Sequence, residues 1–82
     1  MNLFTMSLSK TILSLAAARG TDKTICPSEV ARMLWPGQWR SRMSEVRSAA
    51  FALRDQGKVQ ISQKGEEVLS DGVKGPIRIR IV

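Results

Sequence analysis

Four arginines, Arg40, Arg42, Arg47 and Arg54, share one stretch of this chain with Ser41, Ser44 and Ser48, a set suited to gripping a polyanion. A guanidinium pairs bidentately with guanine or holds a phosphate, and serine lets a nucleic-acid backbone come close. Arg40 and Arg42 are expected in the first turn of a helix, the place from which a recognition helix reaches base edges. Arg47 lies further along, whereas Arg54 is expected to lay its methylene stem on the edge of the core. Glu45 on the same face would repel phosphate unless it accepts from a cytosine amino group. Lys64 and Lys74 add charge at the base of a predicted hairpin. The expected nucleic-acid contacts are therefore Arg40, Arg42, Ser44, Arg47 and Lys64.

Other chemistries find no residues to carry them. Cys26 stands at a predicted helix start, which lowers a thiol pKa, but a nucleophilic cysteine also wants a base. The chain has no histidine, and Glu29 would oppose thiolate formation. One Cys and no His do not build a tetrahedral zinc site. Glu66, Glu67 and Asp71 lack the alternating-oxygen spacing of a calcium loop and read as a solvated hairpin tip. The glycines at 65, 72 and 75 precede no Lys-Ser/Thr pair, so no phosphate-cradling loop is present. Neither catalysis nor a cofactor is expected.

Composition sets the scale. Eighty-two residues, 43% of them hydrophobic, supply one core with little stability to spare, because a chain this short buries only about 60–65% of its surface on folding. Thirteen basic residues against seven acids leave a net charge of +6, which concentrates polyanions near the surface. One cysteine excludes an internal disulfide and fits a reducing compartment. No apolar run approaches a membrane span, and the start lacks a charged n-region and a cleavage site. A cytoplasmic location is the expectation.

The positioning elements follow from periodicity. Residues 1–6 read as a loose leader. Leu8, Ile12, Leu15 and Ala16 recur at helical spacing, predicting a first helix from Ser7 to about Arg19, capped by Ser7 or Ser9 and stopped by Gly20. A second helix opens at Cys26 or Pro27, with Glu29 in its first turn and Val30, Ala31 and Leu34 inward. Trp35-Pro36-Gly37 breaks it. The third helix runs from Gln38 or Trp39 to Gln56, with Gly57 beyond its end and Met43, Val46, Ala50 and Leu53 on one face. Lys58–Gln63 and Pro76–Val82 alternate with period two and predict a hairpin closed by the 64–75 loop. The fold class is α+β: a winged helix-turn-helix of three helices followed by a C-terminal β-hairpin, forming a single domain over residues 1–82.

The segments TICPSEVARML at 24–34, Asp55-Gln56-Gly57, Gln63-Lys64-Gly65 and Gly75-Pro76-Ile77-Arg78-Ile79-Arg80 resemble a small bacterial domain family of unknown function. The resemblance covers nearly the whole chain from about Ile12 and implies a winged-helix fold. It implies no activity and no functional residue.

Two functions suit such a fold. One is transcription-related binding of double-stranded DNA, with the third helix in the major groove; about four phosphate contacts would give a salt slope near −3.6. The other is a protein-protein module without nucleic-acid binding, favoured by a 64–75 loop of net charge −1 and by Phe51 with Trp35 and Trp39 as contact surface. One or both tryptophans are expected chiefly to cover the core where the second and third helices meet. Arg78 and Arg80 are expected to answer the hairpin's own acids. A homodimer would double the contact, with Leu3 and Phe4 as one guess at its surface. Membrane attachment is not expected, since the first helix carries only Lys10 and Arg19 as basic residues.

Overall fold

Leu8, Ile12 and Ala16 lie one helical turn apart, and all three are buried against the rest of the molecule in the computed structural model. The structure describes residues 3–70 and 72–82, with side chains from Leu8 onward. Helix α1 runs over Leu3–Arg19, four residues earlier than Ser7 predicts. Neither Gly nor Pro interrupts residues 3–7, so nothing there ends the helix, and neither Ser7 nor Ser9 serves as its cap. The expected leader is thus helical from Leu3, and its first two residues lie outside the described ones. Gly20, at φ 97°, closes α1 by donating to the carbonyls of Ala16 and Ala17, both at 3.2 Å.

Helix α2, Pro27–Leu34, begins where the Cys-Pro step predicts. Glu29 reaches back to accept from the Cys26 N–H at 2.7 Å, so the acid serves the dipole and also satisfies an orphan donor. After the Trp35-Pro36-Gly37 break comes a correction. The chain forms a 3₁₀ turn over Trp39–Arg42, and α3 proper spans Met43–Asp55. The tighter turn is held by the Ser41 N–H and hydroxyl, which both donate to the Gln38 carbonyl, at 3.1 and 2.8 Å. At the far end Gly57 donates to Arg54 O at 2.9 Å and Lys58 to Leu53 O at 3.0 Å, the paired bonds of a Schellman stop.

The strands also depart from a plain hairpin. Strands β1 (Val59–Gln63), β2 (Glu66–Glu67) and β3 (Arg78–Ile81) form an antiparallel sheet ordered β2-β1-β3, so β1 is central. Lys64 (φ 54°) and Gly65 (φ 83°) are both left-handed, which gives a two-residue reversal whose twist matches the strands it joins. The chain therefore pairs back on β1 at once, then crosses to the other edge. Ile61 faces Ile79 across the β1–β3 ladder. Ile25 exchanges two 2.8 Å bonds with Ile79, tying the link before α2 to the sheet.

Val30, Val46, Ala50, Ile61, Ile77 and Ile79 have no exposed surface, and Phe51 is 5% exposed. Helix α3 and the sheet close over α1 and α2 around this one apolar cluster. The architecture is α+β, three helices followed by a small three-stranded antiparallel sheet, consistent with a winged helix.

Candidate functional site

Helix α3 turns Val46, Ala50, Phe51 and Leu53 inward, leaving Ser44, Ser48 and Ala52 exposed on its opposite side. This small-sided face borders an open groove running from Ser44 to Asp55, whose far wall is Gly72 and Val73. Arg47 crosses the groove. Its Nη1 donates to Gly75 O at 2.8 Å and its Nη2 to Val73 O at 2.9 Å. On the sheet side, Gln63 Nε2 donates to Lys74 O at 2.5 Å and to Pro76 O at 3.2 Å. Two side chains thus hold the loop before β3 at a set distance from α3. Sequence reasoning assigned Arg47 to DNA alone; here it is also a brace, though carbonyl partners leave its positive charge intact.

The remaining arginines separate into paired and exposed ones. Arg42 is bound to Glu45 at 2.8 Å and lies over the Trp35 ring, 5.2 Å from its centroid. Arg54 pairs with Asp55 at 2.8 Å and lies over Phe51 at 4.9 Å, the edge-covering role expected of it. Arg40 is exposed and rests against Trp39 at 4.8 Å. It sits with Arg42 in the 3₁₀ turn, not in the first α-helical turn, so both project from the corner before α3. Trp35 and Trp39 are half-buried and pack against the core while offering ring faces to these guanidiniums.

Arg32 was missed by the sequence reasoning. It lies at 4.3 Å from the same Trp39 centroid. The available signal was a basic residue on the last turn of α2 just before the Trp-Pro-Gly break.

Lys64 occupies the β1–β2 reversal itself and is exposed; Lys74 follows in the loop that Gln63 grips, so both fall at one end of the sheet. Glu66 and Glu67 are exposed there too, and Asp71 lies outside the described residues. Arg78 and Arg80 do not answer these acids. Arg78 Nε donates to Thr24 Oγ1 at 2.8 Å, and Arg80 donates to Thr21 O at 3.1 Å and to the Gln60 side chain. The Ile25–Ile79 bridge brings the 21–24 turn alongside β3, closer than the hairpin tip.

Beside this turn Glu29 accepts from Arg19 Nη2 at 2.6 Å as well as from Cys26 N–H. Burial pushes its carboxyl upward, but the Cys26 and Arg19 hydrogen bonds, with the charges of Arg19 and Arg78, outweigh it and hold the pKa below its ordinary value. Cys26 is half-buried, and its sulfur accepts from the Ser28 hydroxyl at 3.1 Å. Among the described residues no group of three Cys, Asp or Glu side chains gathers as a metal site, and no helix is long and apolar enough to cross a membrane.

No curated protein matches the chain. A model of the family described as a protein of unknown function, DUF3253, matches residues 5–82. With nearly its whole length covered by that match, the chain belongs to this family of small domains of unknown function.

Proposed function

We propose that the domain binds double-stranded DNA as a winged-helix module, with α3 presented to the major groove. The observation that carries this reading is the exposed Ser44, Ser48 and Ala52 face of α3, bordered by Arg47 and an open groove. A major groove about 12 Å wide admits a helix, and small side chains let its backbone approach base edges. Arg40 supplies an exposed guanidinium at the amino-terminal end of that face. Arg47 contributes charge from the groove wall, and Lys64 reaches a flanking phosphate from the sheet end. Arg42 is the weaker contact, because Glu45 competes for it. The net charge of +6 favours encounter with a polyanion. The domain acts by binding, without catalysis; the absence of histidine from the chain supports this.

Anisotropy titration of a 20-base-pair duplex over a salt series tests the reading. The expected log-log slope is about −3 to −4, at roughly 0.9 per phosphate contact. Arg40→Ala should lower that slope by about one contact. Absence of wild-type binding at low salt refutes the proposal.

A second reading, a protein-binding module on the same fold, draws support from the neutralised Arg42 and Arg54 and from Leu69, which is 82% exposed. Retention of a stoichiometric protein partner with no shift of duplex DNA decides for it.

A further inference from the structure

Arg32 and Arg40 come from different elements, the last turn of α2 and the 3₁₀ turn, yet both guanidiniums settle on one indole. Their carbons lie 4.3 and 4.8 Å from the Trp39 centroid, so the two charges are at most about 9 Å apart. Both side chains are exposed, and among the described residues neither forms an ion pair. No acidic residue occurs from Val30 to Ser44, and the next acid, Glu45, is held by Arg42. Beside the ring an open hollow is lined by Pro36, Gly37, Gln38, Trp39, Arg40 and Ser41. Gly37 places no side chain there, and the space over its Cα is open.

Two like charges held on one half-buried ring repel each other, and a bound anion relieves that repulsion. Contact with the ring restricts both side chains in advance and reduces the rotamer entropy lost on binding. We infer that Arg32, Trp39 and Arg40 form a phosphate clamp, which grips the DNA backbone flanking the groove that α3 enters. This assignment rests on the DNA-binding reading and adds a sequence-independent contact that sets register along the duplex. Trp39 acts as a positioning residue, holding Arg40 at the hollow and Arg32 against the same ring. Arg40 then belongs to the backbone contact, leaving base edges to the Ser44–Ser48 face.

The test uses the full chain and a random-sequence 20-base-pair duplex, titrated by anisotropy at several salt concentrations between 50 and 200 mM. Wild type is compared with R32A/R40A and R32K/R40K, each checked for native circular dichroism. The double alanine variant should bind at least tenfold more weakly at 100 mM salt, its slope shallower by about 1.8, since each lost phosphate contact removes about 0.9. The double lysine variant should keep most of the wild-type slope, because the clamp works through charge. An unchanged slope in R32A/R40A, while wild type binds, overturns the clamp and leaves the DNA-binding reading standing. A lysine variant as weak as the alanine one also overturns it. Wild-type failure to bind at 50 mM salt, including the case in which an acidic polypeptide binds instead, overturns both.

Discussion

The Arg47 guanidinium donates to the Gly75 carbonyl oxygen at 2.8 Å, joining α3 to the loop before β3 across 28 residues of chain. A second bond, to Val73 O at 2.9 Å, makes the contact bidentate. Hydrogen bonds from a charged group contribute more than neutral ones, so Arg47→Ala should destabilise the fold by about 1–2 kcal/mol. The consequence should be local as well as global. Amide exchange at residues 72–76 should quicken in the variant, while the β1–β3 ladder stays protected. Arg47→Lys keeps the charge but loses the fork, and should rescue DNA affinity better than it rescues loop protection. Urea denaturation and hydrogen exchange on both variants check these outcomes.

Glu29 gives the molecule an acid-sensitive corner. Its carboxyl pKa is lower folded than the ordinary 4.5, despite burial, because Cys26 N–H, Arg19 and Arg78 favour the anion. A depressed acid contributes stability that is complete above its unfolded pKa and lost as pH falls through the folded one. The difference in urea midpoint between wild type and Glu29→Gln should therefore be largest at pH 6–7. It should shrink as pH drops below about 4.5. A difference independent of pH would mean that geometry, not charge, carries the corner.

Periodicity and caps made most of the scaffold legible, because these signals are local. Cys26-Pro27 with Glu29 marks the start of α2, Gly57 marks the end of α3, and alternation marks β1 and β3. The 3₁₀ turn escaped, since Trp39–Arg42 has no feature that separates it from an α-helical first turn until packing is known. Strand β2 escaped because two acidic residues carry no strand signal of their own. Its pairing comes from the turn at Lys64-Gly65. For the candidate site, the exposed serines were visible from the helical wheel. The partners of the arginines were not, because a guanidinium on a long stem chooses among distant carbonyls and rings. Arg47 with Val73, Arg78 with Thr24 and Arg32 with Trp39 are all choices of that kind.

Ile79 joins three parts of the core. It pairs with Ile61 in the sheet, bonds to Ile25 through its backbone, and has no exposed surface. Truncation to alanine should cost about 2–5 kcal/mol, which approaches the whole stability of a small domain, roughly 5–10 kcal/mol. Ile79→Ala should accordingly be largely unfolded at 37 °C by circular dichroism. Ile79→Val, which removes one methylene, should remain folded with a loss of about 0.5–1.5 kcal/mol.

Lys64 combines a conformational cost with a candidate contact, and substitution separates the two. Among the described residues it is the one non-glycine at positive φ, 54°, followed by Gly65 at 83°, a pair of positions that asparagine-glycine satisfies with less strain. Lys64→Asn should stabilise the domain by on the order of 0.5–1 kcal/mol, read as a higher urea midpoint at constant slope. The same change removes an exposed cation from the end of the sheet. If Lys64 meets a phosphate, the salt slope of duplex binding should become shallower by about 0.9 even as the protein grows more stable. A stabilised variant with an unaltered slope would confine Lys64 to the turn and remove it from the DNA contacts.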